Sequence, residues 1–399
     1  MNDIVLECCE KINLKKQLGN MSHTDKLMWF FTSYLGINPS VGCYLDCGYC
    51  ILDKDVANPS KVRKKDTAKY TLDRILKDNR VKKKNPMTFF NLSDPFLKQN
   101  INDLMYILEG MDDAGQENPV VLITKLNPDR VNPKARVLDR ISQLENLKPV
   151  LMVTYANVPK KVEPASSSAR IELMAKAKML GIPVVQYARP LWEEWTPMDK
   201  IEEMAEQTAN IVDSVVIGGI LTTEGIKQKL ARRLEGSGIP VPQWGNDAGR
   251  HIAKDYRQKV IDAYHSKNPN LGVFVNSSCG ISNALGIHNY MGYYWHFANK
   301  QDGTCNMPCQ SEQRELCAYA TPLIRKQEDV ENFEAERKKV KNILDQFNAS
   351  RAAFNICDGY LELFVRFGGQ EVRQIRQDTG MFVYWPGNLK MFGHRTKQG

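Results

Sequence analysis

Long hydrophobic runs are missing from this 399-residue chain, and none approaches the roughly 20 apolar residues that a membrane helix needs. The first 18 residues are polar and charged and lack the apolar core of a signal peptide. Cytoplasmic location is therefore expected, with no membrane partner. Internal repeats and low-complexity tracts are also lacking, which argues against a solenoid or a disordered tail. Hydrophobic residues at 42% and charged residues at 25% describe a globular protein that buries a core. The length fits a large α/β domain with an appendage. Cysteine, by contrast, is plentiful. In a reducing compartment, ten cysteines read as metal ligands and thiols rather than disulfides. Cys8, Cys9 and Cys357 have no neighbours at ligand spacing and read as ordinary thiols.

The net charge is +8, and part of the excess lies in Lys61, Arg63, Lys64, Lys65, Lys82, Lys83 and Lys84. Such a patch can neutralise phosphates, or it can be the solvated face of a helix and its flanking turn.

Short apolar runs at 87–92, 119–124, 150–154, 184–187 and 215–220 alternate with amphipathic stretches at 97–110, 135–144, 168–180 and 200–211. Strands separated by helices predict a parallel sheet with helices outside it. With a strand before Cys43, six βα units result. The expected fold class is therefore α/β, a partial (β/α)6 TIM-type barrel over residues 25–240 with a cysteine-rich C-terminal extension. Its chemistry belongs at the C-terminal ends of the strands. Residues 1–24 form an N-terminal segment. Residues 241–325 form the extension, which begins with a helix at 254–265. Residues 326–399 hold a charged helix at 328–347 and β-hairpins over 361–385, with Gly368-Gly369 as one turn.

Three cysteines carry most of the chemical information: Cys43-x3-Cys47-x2-Cys50. Three thiolates on one loop can hold three irons of a cubic cluster. No fourth cysteine follows nearby, so one iron is left open, as in reactive metal sites. The alternative is a zinc loop that borrows a fourth ligand, or simply buried thiols. The spacing resembles the signature of the radical S-adenosylmethionine (SAM) enzymes. That resemblance implies a [4Fe-4S] cluster and SAM as cofactors, a 5′-deoxyadenosyl radical that abstracts hydrogen, and a reducing partner such as flavodoxin or ferredoxin.

Further segments resemble the spore photoproduct lyase-like group: Asn91-Leu92-Ser93-Asp94-Pro95, Thr124-Lys125, Thr154-Tyr155, Val162-Glu163-Pro164 with Ser168-Ala169-Arg170, and Leu180-Gly181-Ile182-Pro183-Val184. The resemblance spans about residues 35–220. It implies that Ser93 and Lys125 bind the amino-acid portion of SAM and that Thr154 binds its ribose. Asp94 would accept from the SAM ammonium or ribose, and Arg170 would reach a carboxylate of SAM or substrate. Gln186 is a further candidate cofactor contact, on a strand face the sequence does not decide. The ordinary reading of each is a polar strand-end group or helix cap. Arg189, at the end of the fifth strand, is expected to face the cavity and meet a substrate phosphate or carboxylate. The chain departs from the lyases at Asn91 and Leu92, where those enzymes carry a hydrogen-donor cysteine. Thymine-dimer repair by that route is not expected.

Cys279, Cys305, Cys309 and Cys317 form a second set, read as an auxiliary [4Fe-4S] cluster or a structural zinc, the alternative being unliganded buried thiols. Tyr290, Tyr293, Tyr294 and Trp295, with His288 and His296, suit either base stacking or hydrophobic packing. Three functions remain open. The first is a radical SAM enzyme acting on nucleic acid or a nucleotide, with nucleic acid a candidate partner. The second is a radical SAM modifier of a peptide or small metabolite. The third is a non-catalytic zinc-containing nucleic-acid-binding protein.

Overall fold

The apolar runs become neighbouring strands. In the structure, a computed structural model, the described residues are 27–30, 33–50, 52, 60–82, 85–221, 223–243, 250–291, 310–320, 330–347, 349, 354–357, 360–365 and 367–384. In chain order the strands are β1 (Met28–Phe30), β2 (Leu35–Ile37), β3 (Ser40–Val41), β4 (Arg63–Lys64), β5 (Met87–Phe89), β6 (Pro119–Thr124), β7 (Lys148–Thr154), β8 (Val184–Leu191), β9 (Ser214–Leu221), β10 (Arg250–His251) and β11 (Gly272–Phe274). Nine of them form one sheet, in the order β1-β2-β5-β6-β7-β8-β9-β10, with β11 also on β9. The six strands expected from the sequence are β2 and β5 through β9, all parallel to one another. β11 adds a further parallel strand beyond residue 240, and β1 and β10 are antiparallel additions. The sheet is open among the described residues, which makes it a partial barrel. β3 and β4 form a separate ribbon.

Strand alternation divides the side chains between two faces. Val121, Val150, Met152, Val185 and Val216 share an inner cluster with Phe274, Cys279 and Ile281. Their neighbours Val120, Leu122, Leu151, Val153, Val184 and Val215 pack into the larger core with the outer helices. The inner face is filled by the helix Ser277–Ala284. Ser214 Oγ donates to the Gly280 carbonyl at 2.8 Å, and a Cβ on Gly280 would sit 2.3 Å from Val216. Glycine is what permits that approach.

The outer helices begin and end where their sequences direct. Thr67, Ser166 and Thr223 accept from the N–H groups of Tyr70, Ala169 and Ile226 and so cap three of them. The helix Ser167–Met179 closes in a Schellman motif: Ile182 N–H donates to Ala177 and Gly181 N–H to Lys178, with Gly181 at φ +73°. Pro183 then leads into β8. The expected helix at 97–110 starts later, at Ile101, because Asp94 and Asn100 hold the preceding residues in turns. The expected helix at 135–144 is shortened to Val137–Ser142, because Ala135 ends a separate turn that starts at Pro133 and Arg136 follows at φ +47°.

Residues 354–384 differ from the expected run of hairpins. β12 (Phe354–Cys357) and β13 (Tyr360–Leu363) do form an antiparallel pair. β14 (Phe382–Tyr384), however, joins β13 in parallel after a crossover helix, Gly369–Thr379. Gly368 opens that helix, its N–H donating to Glu371 at 2.6 Å, so the two glycines are not a hairpin turn. Val372, Ile375 and Thr379 carry the helical spacing that strand alternation obscured, and all three are buried. This unit has its own core, made by Val340, Leu344, Leu361, Ile375 and Val383.

Candidate active site

The cysteine loop follows β3 and is tied down along its length. Gly42 turns the chain at φ +93°, and its N–H donates to Leu92 at 2.8 Å. Ser93 Oγ donates to the Gly42 carbonyl at 2.6 Å and accepts from Asn100, which in turn accepts from Ser40. Asp46, at φ +46°, is clamped between Lys229 at 2.8 Å and Arg233 at 2.7 Å. Gly48 N–H donates to the Val162 carbonyl at 2.8 Å, and a Cβ there would meet Leu230 at 2.7 Å. Cys47 is buried, while Cys43 and Cys50 are half-buried. Burial pushes the thiols of Cys43 and Cys47 up to about 12; Asp94 adds to the rise at Cys43, and Lys125 opposes it at Cys47.

Beneath the loop, Glu163 gathers three partners. It accepts from the Tyr49 hydroxyl and from Arg170, and it lies 3.8 Å from Lys125 Nζ. Lys125 also stands 5.5 Å from the centre of the Tyr49 ring, within cation–π range. Burial lowers the Lys125 ammonium, but Cys47, Glu163 and Cys50 outweigh it and the net shift is upward.

The cavity above the strand ends measures about 730 Å³. It is lined by Cys43, Cys47 and Cys50, by Ser93, Asp94, Lys125 and Thr154, and by Asn91, Tyr187, Arg189 and Asn276, among others. The structure thus brings eight of the sequence-predicted residues together, Arg189 among them. The Asp94 carboxylate accepts from Phe96 N–H and Thr124 Oγ1 on one oxygen and from Lys125 N–H on the other, each at 2.9 Å. Burial raises this carboxyl above its usual range, against the lowering effect of those bonds. Asp94 therefore joins the end of β5 to the end of β6.

Two candidates lie elsewhere. Arg170 is buried behind the cavity, bonded to Glu163 and to the Thr154 and Ala165 carbonyls and stacked 5.1 Å from Tyr155. Its ligands are the protein's own, so it buttresses the loop after β7. Gln186 points outward, because alternation on β8 places Val185 and Tyr187 inward. It donates to the Tyr155 carbonyl at 3.1 Å and accepts from Thr208 and Tyr264 at 2.7 and 2.9 Å.

Sequence reasoning did not single out Asp46 or Asn276. Tyr49 stands out in the sequence as the aromatic residue immediately before Cys50, although its bond to Glu163 is seen only in the fold. Asn276 had no such signal, because its place depends on the strand β11.

Of the second cysteine set, Cys305 and Cys309 lie outside the described residues, as do Tyr293, Tyr294, Trp295 and His296. Cys279 and Cys317 are both buried and both meet Asn289: its amide Nδ2 lies 3.4 Å from Cys279 Sγ and its N–H lies 3.2 Å from Cys317 Sγ. Gln313 also donates to Cys317, at 3.3 Å. Among the described residues, no three His, Cys, Asp or Glu side chains converge as ligands of one ion. A cubic cluster asks for something different, since each thiolate binds its own iron. Among the described residues, no helix is long and apolar enough to cross a membrane.

A partial parallel barrel with a three-cysteine loop over its strand ends is the class that the fold and the site define. Solved structures are similar to the chain. A variant of spore photoproduct lyase with bound AdoMet and dinucleoside spore photoproduct matches with a TM-score of 0.50 at 16% identity, over 63% of this chain and 79% of that one. SuiB of Streptococcus suis bound to S-adenosylmethionine matches with a TM-score of 0.42 at 14% identity, over 66% and 56%. No protein-family model matches the chain, and no curated protein matches it by sequence.

Proposed function

We propose that the protein is a radical SAM enzyme. Cys43, Cys47 and Cys50 would hold a [4Fe-4S] cluster, one iron would remain for SAM, and a substrate in the same cavity would lose a hydrogen atom. One observation carries this reading above the others: three thiols of one anchored loop line a 730 Å³ cavity at the strand ends, beside a lysine. When bound, the cluster supplies the electron that splits the SAM sulfonium to a 5′-deoxyadenosyl radical.

The chain's own residues do the rest. Lys125 sets a cation beside Cys47 and Cys50, which offsets thiolate charge and offers a donor to the SAM carboxylate. Ser93 fixes Gly42 and so aims the first cysteine. Thr154 brings a hydroxyl to the cavity wall for the ribose. Asp94 positions Lys125 through its backbone. Arg170 and Gln186 are assigned no SAM contact.

Spore photoproduct lyase binds a dinucleoside photoproduct. Together with the exposed Lys61, Arg63, Lys64 and Lys65, this supports a nucleic acid or nucleotide as substrate. Asn91 and Leu92 stand where the lyases keep their hydrogen donor, so the outcome on the substrate differs from photoproduct repair. The meeting of Cys279 and Cys317 at Asn289 favours a second metal, a [4Fe-4S] cluster or zinc, and with it the alternative of a peptide or small-metabolite substrate. Flavodoxin or ferredoxin would supply the electron, in the cytoplasm.

Anaerobic reconstitution with iron and sulfide tests the reading against a non-catalytic zinc protein that binds nucleic acid. A brown protein with about four irons, or about eight with an auxiliary cluster, is expected. A colourless protein that retains only zinc would refute it.

A further inference from the structure

The cavity contains a second set of donors for which radical generation has no use. Three cationic side chains line it, and two of them face carboxylates: Lys125 stands 3.8 Å from Glu163 and Lys229 2.8 Å from Asp46. Arg189 forms no ion pair with any described residue. Its Nη1 donates to the Tyr187 hydroxyl at 2.6 Å and its Nη2 to the Val275 carbonyl at 3.1 Å, while its Nε is buried without a partner. The guanidinium lies 4.7 Å from the Tyr187 ring centre and is seated against Gly218, where a Cβ would fall 2.1 Å from Nε. Ring, carbonyl and glycine fix the group in place, yet nothing described neutralises its charge. A guanidinium has five N–H donors, and two are accounted for.

Asn276 stands on the same wall, one residue after the carbonyl that Arg189 binds. It precedes the helix Ser277–Ala284, and its side chain makes no capping bond. Its Nδ2 is buried without a partner. The N-terminus of this helix points at the cavity, since Asn276 and Ser277 both line it, and its dipole favours negative charge there. An unneutralised guanidinium, an unpartnered amide donor and a helix N-terminus thus converge on one part of one cavity. All three call for the same chemistry, an oxygen anion.

We propose that Arg189, Asn276 and the N-terminus of the Ser277–Ala284 helix bind an oxyanion of the substrate, a phosphate or a carboxylate. The inference rests on the cavity being the substrate site of the proposed radical enzyme, and it supplies the chemical class of that substrate. Arg189 orients the anion through its fork, and Asn276 adds a neutral donor beside the helix dipole. A substrate anchored there would be positioned by a group remote from the atom that reacts.

The test is thermal unfolding of the reconstituted protein during titration with inorganic phosphate and, separately, with acetate, sodium chloride holding the ionic strength constant. A saturable rise in Tm beyond the chloride control is expected from at least one anion. Tighter binding of phosphate assigns a phosphorylated substrate, and tighter binding of acetate assigns a carboxylate. Asn276→Asp breaks no capping bond, since Asn276 makes none, and places a negative charge in the pocket, so binding should weaken at least tenfold in a folded protein. Arg189→Lys keeps the charge without the fork and should also weaken it. No saturable response to either anion, or unchanged binding in Asn276→Asp, would overturn the proposal. The titration needs neither SAM nor reductant. If 5′-deoxyadenosine forms while no anion binds, only this inference falls. If anions bind while none forms, only the radical reading falls.

Discussion

Arg170 and Glu163 form an ion pair from which water is almost excluded, with side chains 2% and 1% exposed. The pair sits behind the cysteine loop, and Glu163 passes its influence on to Tyr49 and Lys125. Glu163→Gln keeps the shape of the side chain but leaves Arg170 buried without a counter-charge. The expected loss is about 3–5 kcal/mol, read from the urea unfolding midpoint. Lys176→Ala removes a half-exposed pair with Asp129 and should cost less than about 1 kcal/mol. Equal losses in the two variants would show that the buried pair does not hold the loop.

Close packing fixes the loop as firmly as charge does. A methyl group on Gly48 would meet Leu230 at 2.7 Å, so Gly48→Ala should reduce the iron retained after reconstitution. Leu230→Ala, added to it, removes the clash and should restore part of that iron even though it opens a core cavity. Iron counts for both variants, beside Leu230→Ala alone, complete the cycle. Full iron in Gly48→Ala would mean that the loop tolerates displacement.

The C-terminal unit is attached to an edge of the sheet by side-chain mimicry of a strand. Phe30 N–H donates to Gln370 Oε1 at 2.6 Å, Gln370 Nε2 donates back to the Phe30 carbonyl at 2.8 Å, and Arg373 adds a bond at 2.7 Å. Removing both bonds with Gln370→Ala should cost about 1–3 kcal/mol and speed limited proteolysis of the C-terminal unit. Proteolysis at the wild-type rate would show that the docking depends on other contacts.

Cys279 and Cys317 offer a test of the second metal. Cys279→Ser and Cys317→Ser should each lower the metal bound by about four irons, or by about one zinc, while the Cys43 loop keeps its own iron. Unchanged metal content in both would assign the two thiols to packing.

The parallel barrel was legible because its strands are short apolar runs bounded by turns and its helices are amphipathic, each unit closed by local signals such as the cap at Ser166 and the Schellman turn at Gly181. The cysteine loop was legible because its ligands are adjacent in sequence. What escaped depends on distance along the chain. The helix Ser277–Ala284 enters the inner face only because β11 pairs with β9, and no local pattern announces that pairing. Arg170 carried a family-like position, but its partner Glu163 claims it, and only the fold shows that they meet. Gln186 hung on strand phase, which a run of apolar neighbours leaves undecided. Asp94 was identified as a candidate ligand, whereas the backbone N–H groups of Phe96 and Lys125 occupy it.

The central claim is that Cys43, Cys47 and Cys50 hold a cluster with an iron open to SAM. It is tested most directly by measuring 5′-deoxyadenosine formed from SAM under reducing, oxygen-free conditions, with the reconstituted protein and with its triple Cys→Ala variant at these positions. Formation by the native protein and none by the variant is the predicted result. Equal formation by both, or none by an iron-loaded native protein, would contradict it.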